Sequence, residues 1–268
     1  MLIHFTIIYV LTSIVWLLGL SLFYLPIQKP HRKIGTIFLH AGSFVLVFYI
    51  VALWIYLERP PLRTLGETRL WYGTFLSLIG LALYHVRKLD WVPIFSFPFA
   101  ILFLTINYMH PEYFQKELMP ALQSPWFVPH VIVYIFAYSI LFASTVTAFF
   151  GLLALGKGQD ATQSIRVADS IVYIGFAFLT CGLIFGALWA KEAWGSYWTW
   201  DPKETWAFIT WLLYLIYIHY RYQYKNAVKT PLIILTIAFA LLLVCWFGVN
   251  YLPSAKNSVH TYGMSGKK

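Results

Sequence analysis

Long apolar runs recur along this chain, and they decide its fold class before any motif is considered. Eight can be marked: residues 1–25, 34–57, 70–86, 91–108, 130–155, 170–190, 202–222 and 231–251. Each approaches the roughly 20 residues that an α-helix needs to cross the hydrocarbon of a bilayer. They are continuously apolar and do not alternate, so they read as helices and not as strands of a membrane barrel. Only 11% of the residues are charged, where a soluble domain carries about a quarter. The expected fold is all-α: a polytopic membrane helical bundle of about eight transmembrane helices. Pro93 and Pro98 fall in the fourth run and are expected to kink it. The first run has no basic segment before it and no small-residue cleavage site, so it reads as a retained span and not as a signal peptide. No repeat or soluble domain stands out, and residues 1–268 are expected to form a single integral membrane domain.

An even number of spans puts both termini on one side, and the basic residues say which. Lys29, Arg32, Lys33, Arg87, Lys88, Lys157, Arg166, Arg221, Lys225 and Lys229 lie in the odd-numbered loops. Those ten exceed the seven on the other face (nine with Lys267 and Lys268 at the end of the chain), so the odd loops are expected on the cytoplasmic side. Both termini then lie on the outer side, periplasmic or lumenal. The formal charge of +9 is accounted for by this orientation signal, and nucleic acid is not an expected partner. Cys181 and Cys245 are the two cysteines, and no Cys-x-x-Cys occurs, so neither a thiol redox motif nor a structural zinc site is supported. Without Cys-x-x-Cys-His, the chain has no motif for attaching c-type haem to itself.

One stretch stands apart from the spans. Residues 194–206 read Trp194-Gly-Ser-Tyr-Trp198-Thr-Trp200-Asp201-Pro-Lys-Glu204-Thr-Trp206. Tryptophan and tyrosine rings gather at membrane interfaces, where the apolar body sits in lipid and the polar tip in water. Four indoles at fixed spacing with a glycine and an acid also suit a flat aromatic platform for a large planar ligand such as a porphyrin. Asp201-Pro-Lys-Glu204 reads as a helix start: Asp201 as N-cap, proline at the first helical position, Glu204 closing a capping box. The aromatic segment, about residues 190–206, is therefore expected to be an outer surface loop running straight into a spanning helix, with an outer tail at 252–268.

The histidines sort by position. His31 and His85 fall at the cytoplasmic side, where a snorkelling surface role is expected. His4 and His110 lie on the outer side in sequence without other signals, and His40 is expected to be a packed, hydrogen-bonded core residue. His130 follows Trp126-Phe-Val-Pro129 and opens the fifth span from outside. His260, in Ser258-Val-His260-Thr-Tyr262-Gly263, follows the last span on that same side. Two outer histidines flanking the tryptophan loop are what a bis-imidazole iron site requires. His219 lies 17 residues past Pro202, roughly 25 Å along the helix at 1.5 Å per residue. It is too deep to serve the loop, and it is either a snorkelling residue or a second, separate site.

Trp194-Gly-x-x-Trp198-x-Trp200-Asp201 resembles the WWD signature of the haem-handling proteins of cytochrome c maturation. The extension Asp201-Pro-Lys-Glu-Thr-Trp-Ala-Phe-Ile-Thr-Trp211, with the helix end Ile218-His219-Tyr-Arg221, resembles the CcsA (ResC) branch; the CcmC and CcmF branches diverge after the aspartate. The resemblance covers about residues 126–263, and Arg59-Pro-Pro with Glu67 is similar to the family's first outer loop.

The resemblance implies a component of the System II cytochrome c synthase, partnered by a CcsB (ResB)-type membrane protein. Such proteins hold haem b non-covalently at the outer face and present it to apocytochrome c for thioether formation. Trp194, Gly195, Trp198, Trp200, Asp201 and Trp206 match the haem-binding signature, His130 and His260 the two outer ligands, and His219 the ligand of an inner haem site. That inner site takes its other ligand from CcsB in the family; a second ligand from His40 or His85 would depart from the pattern. No residue of the signature must act as a catalytic acid or base. The implied location is a bacterial inner membrane, or a thylakoid membrane for a plastid-encoded chain. Two other classes compete: a b-type electron-transfer subunit with paired histidines across two helices, and a haem transporter without ligation activity.

Overall fold

The structure is a computed structural model that describes residues 2–24, 29–62, 64–114, 124–253 and 258. Among them are eight α-helices and no strand: α1 (Leu2–Tyr24), α2 (Lys29–Leu57), α3 (Leu65–Arg87), α4 (Pro93–Met109), α5 (Phe127–Gly156), α6 (Thr162–Trp194), α7 (Pro202–Gln223) and α8 (Lys229–Trp246). Each expected span is found as a helix, because an apolar run of this length has no other way to satisfy its backbone in lipid. Five helices contain segments long and apolar enough to cross a membrane: Phe5–Tyr24, His31–Leu57, Phe127–Gly156, Thr162–Trp194 and Lys229–Trp246. The protein is a polytopic helical membrane protein. Its contacts fall into two compact units, Met1–Leu118 and Met119–Lys268.

In the first unit α1 and α2 meet through small residues: a Cβ on Gly35 would lie 2.7 Å from the Gly19 carbonyl oxygen. Close backbone approach of this kind lets membrane helices gain dispersion contacts where lipid supplies no hydrophobic drive. Trp16 is fully buried beside this seam, and its indole N–H donates to the Leu39 carbonyl at 3.2 Å.

The segment before α3 explains the Arg59-Pro-Pro and Glu67 pattern. Thr64 is the N-cap and forms a reciprocal capping box with Glu67. The same Glu67 carboxylate, 1% exposed, receives a two-pronged contact from the Arg59 guanidinium, both bonds at 3.0 Å. One acid thus caps the helix and ties down the loop in front of it. Pro93 departs from expectation. It opens α4 instead of kinking it, at the helix start, where a missing N–H leaves no bond unmade; Pro98 is the proline inside that helix.

In the second unit α5 lies on a glycine seam of α6. Gly175, Gly182 and Gly186 share one face, and a Cβ on each would meet Leu141 at 2.6 Å, the Tyr134 ring at 3.0 Å and the His130 ring at 2.7 Å respectively. The far ends of α6 and α7 are joined by a part-buried polar clamp. The Arg221 guanidinium spans both oxygens of Asp169, and the Tyr217 hydroxyl donates to the same carboxylate at 2.6 Å.

Candidate functional site

The tryptophan loop is held at both ends by helix-terminus chemistry. α6 stops at Gly195, whose φ of +81° gives the left-handed turn that L side chains rarely adopt. The Lys191 ammonium donates to the Gly195 carbonyl at 2.8 Å and lies 5.5 Å from the centre of the Tyr197 ring. At the other end the expected cap is found. Asp201 accepts from the Lys203 N–H at 3.0 Å, and Glu204 accepts from the N–H groups of Asp201 at 3.2 Å and Thr199 at 2.8 Å. Trp200, between these anchors, has φ +60°, an uncommon conformation for a bulky residue. The residue is 65% exposed.

Asp201 has a second task that its cap role conceals. Its Oδ1 also accepts from the Ser258 hydroxyl at 2.9 Å, a contact 57 residues along the chain, and both residues are buried. The carboxylate therefore joins the helix start, the loop and the segment after α8. Asp201→Ala is expected to cost about 1 kcal/mol for the lost cap and to release Ser258 as well. The check is the denaturation midpoint in detergent; an unchanged midpoint would count against the carboxylate as an anchor.

The indoles fall into two neighbouring groups. Trp194 packs edge-on against Trp189 at 4.7 Å, and Trp189 stacks on the His130 ring at 5.5 Å. Trp198, Trp200 and Phe208 form a mutually edge-on triad with centroid separations of 5.8 to 6.2 Å. Phe208 continues this group to Trp211, stacked at 6.0 Å. Trp206 is half-buried in the first turns of α7. The Trp198 indole N–H is buried without a hydrogen-bond partner, a donor that ordinarily demands an explanation such as a bound ligand or water.

His130 sits in the first turn of α5, fitted against α6 where Gly186 leaves room. Its Nδ1 is 2.9 Å from the Gly182 carbonyl, which can only accept, so the proton is on Nδ1 and the lone pair on Nε2. An imidazole fixed in this tautomer by a backbone carbonyl is arranged as metal-binding histidines are. Its ring also meets the Trp189 face and the Tyr134 edge. The structure thus brings His130 together with Trp189 and Trp194. His260 lies outside the described residues; Ser258, two positions before it, is the residue bonded to Asp201.

His219 is not part of this group. α7 runs without interruption from Pro202 to Gln223, which keeps His219 roughly 25 Å along the helix from the loop. It is exposed, and its Nδ1–H donates to the Leu215 carbonyl at 2.9 Å, again leaving the lone pair on Nε2.

Three features escaped sequence reasoning. The Asp169–Arg221–Tyr217 clamp carried one visible signal, the arginine ending the Ile218-His219-Tyr-Arg221 run. Gly186 gave none, since only the packing of α5 shows what it accommodates. His40 differs from the expected core residue: its face of α2, with Ile37, Phe44 and Phe48, points outward, and the ring is exposed. It is hydrogen-bonded as expected, to the Thr36 carbonyl and to His85, which is therefore no solitary helix-end residue. Among the described residues, no three His, Cys, Asp or Glu side chains gather as a metal-binding set.

Known proteins resemble this chain over most of its length. The model of the cytochrome c assembly protein family matches residues 7–255. The cytochrome c biogenesis protein CcsA of Vitis vinifera is 30% identical over 83% of this chain and 83% of its own length. Its counterpart in Marchantia polymorpha is 30% identical over 88% of each, and that of Chlamydomonas reinhardtii 32% identical over 92% of this chain and 72% of its own length. Agreement of this extent, across both compact units, shows that the chain belongs to the cytochrome c assembly family, beside the CcsA proteins, with a role in cytochrome c maturation.

Proposed function

We propose that this chain holds haem b non-covalently at the outer face of the membrane and presents it to apocytochrome c, acting with a CcsB (ResB)-type protein. The carrying observation is His130: its tautomer leaves Nε2 as the donor nitrogen, beside an aromatic surface of Trp189, Trp194 and the exposed loop. The donor set fits the cargo. Indole faces and Phe208 suit a porphyrin plane, the buried Trp198 N–H can serve a polar group on it, and imidazole is an iron ligand. His260 is the proposed second outer ligand, two residues from the Ser258 that is bonded to Asp201. His219 is the proposed ligand of a separate inner site whose other ligand comes from the partner.

The reaction served is addition of a cysteine S–H across each haem vinyl group: a C–S bond forms, the proton goes to the neighbouring carbon, and nothing is oxidised. The chain's own work is to hold the porphyrin edge accessible and to keep water from the iron. Location follows the same reading: a bacterial inner membrane, or a thylakoid membrane as the plant and algal relatives suggest.

The test is to purify the chain with and without its CcsB-type partner, record the reduced spectrum, and assay covalent haem on a c-type cytochrome in cells lacking the chain. Bis-imidazole absorption and loss of covalent haem are expected. Normal maturation in the absence of the chain, or purified complex without haem, would overturn the proposal.

A further inference from the structure

His40 on α2 and His85 on α3 belong to the first unit, whereas every residue given a haem role above belongs to the second. Their Nε2 atoms face one another at 3.2 Å. The Nδ1–H of His40 donates to the Thr36 carbonyl at 2.8 Å, one turn back on α2, which fixes the tautomer and leaves the Nε2 lone pair directed at His85. The rings do not stack: their centroids are 5.0 Å apart and their planes 49° from parallel, so they converge through their Nε2 edges.

As a hydrogen bond this contact is at the long end of the usual range. As a ligand pair its nitrogen spacing is right, and a turn of the exposed rings would aim both lone pairs at one ion. Metal–nitrogen bonds of about 2.0–2.1 Å at a near-tetrahedral angle put two imidazole nitrogens about 3.3 Å apart. The carbonyl behind His40 is the outer partner that such histidines ordinarily have. Both rings are exposed, so further coordination positions are open to water or to another protein's donor.

The charged residues near the pair along α2 and α3 are mostly basic, with Lys88 acting directly on His85. His31, Arg32 and Lys33 lie on α2, Arg87 and Lys88 at the end of α3, and the nearby carboxylate, Asp90, is taken by Arg32. With that carboxylate taken, calcium and magnesium find no oxygen ligands, and the donors left are imidazoles, which suit ions that bind nitrogen tightly enough to outweigh the nearby positive charge. We infer that His40 and His85 form a two-imidazole site for a divalent first-row transition-metal ion, of which zinc is the probe chosen here. An ion bound there would pin α2 to α3.

The experiment is equilibrium dialysis of the full chain, without an affinity tag, against zinc. One ion per chain is expected, with affinity falling roughly tenfold or more in His40→Ala. His110→Ala, at a histidine given no haem role, should bind as the parent does. His85→Gln separates a metal site from a mere latch, because its amide can still donate to His40 Nε2 but makes a poor zinc ligand. It should lose the ion while keeping the metal-free melting midpoint. Zinc bound undiminished by His40→Ala or by His85→Gln, or no zinc bound by the parent, overturns the assignment. So does haemin binding that depends on His40 without zinc binding, which would give the site to porphyrin iron.

Discussion

Cells whose only copy carries His130→Ala should make no holocytochrome c, and exogenous imidazole should restore part of the haem spectrum of the purified variant. The reasoning starts from what the ring does for the fold. Its ring bonds to a helix carbonyl and packs against Trp189 and Tyr134, at a position where Gly186 leaves space. A net hydrogen bond is worth roughly 0.5–1.5 kcal/mol, so the protein should still insert and fold. On the proposed function, what the variant loses is an iron ligand. The iron is left with water or an empty position, and the ferrous state that thioether formation favours becomes harder to keep. Imidazole fits the space vacated by the side chain and supplies the same donor atom. His260→Ala should behave alike if, as proposed, the two histidines act on one iron. A six-coordinate bis-nitrogen spectrum in the double variant, recorded without imidazole, would remove both residues from the site.

The spans and the cap were legible because each depends on local chemistry. Eight apolar runs become eight helices, and Asp201 and Glu204 close their capping box within four residues. Boundaries moved where a turn of helix costs little: α5 begins at Phe127, three residues before the apolar run suggested, so His130 enters the helix instead of opening it. Long-range partners were not legible. Nothing near Asp201 announces Ser258, and nothing near Asp169 announces Arg221, 52 residues away. His40 shows why helix faces are hard to assign in a membrane chain. In water an apolar neighbourhood on a helix means burial, but in a membrane Ile37, Phe44 and Phe48 are at ease on the outside, and His40 shares their exposed face where it meets His85 in the last turn of α3. The candidate loop was legible as composition. Its working detail, a strained Trp200 held out between two anchored helix ends, required the backbone.

Asp169→Ala should be among the most destabilising single changes in the second unit, costing about 3–5 kcal/mol. Arg221 has two jobs that meet in one guanidinium. Nε and Nη2 engage the Asp169 carboxylate at 2.8 to 3.1 Å, while Nη1 donates to the carbonyls of Tyr224, Lys225 and Ala227, closing the end of α7 and the turn that follows. The side chains are 9% and 19% exposed, so the pair is largely screened from water. Removing the acid leaves a cation with carbonyl partners alone and the Tyr217 hydroxyl without its acceptor. Asp169→Asn should cost less, because its carbonyl oxygen still accepts from both neighbours. Arg221→Lys should be poorly tolerated, since a single ammonium does not reach the carboxylate and three carbonyls in the same plane. Replacing both partners with apolar residues should cost less than removing Asp169 alone, because no unpaired charge remains. Denaturation in detergent reads all four variants. On the proposed function the cost also reaches His219, two residues from Arg221 on the same helix: a loosened end of α7 should release the proposed inner haem before the outer one. Equal midpoints for Asp169→Ala and the parent would show that the clamp carries no strain-free charge pair worth keeping, and that α7 ends where it does for other reasons.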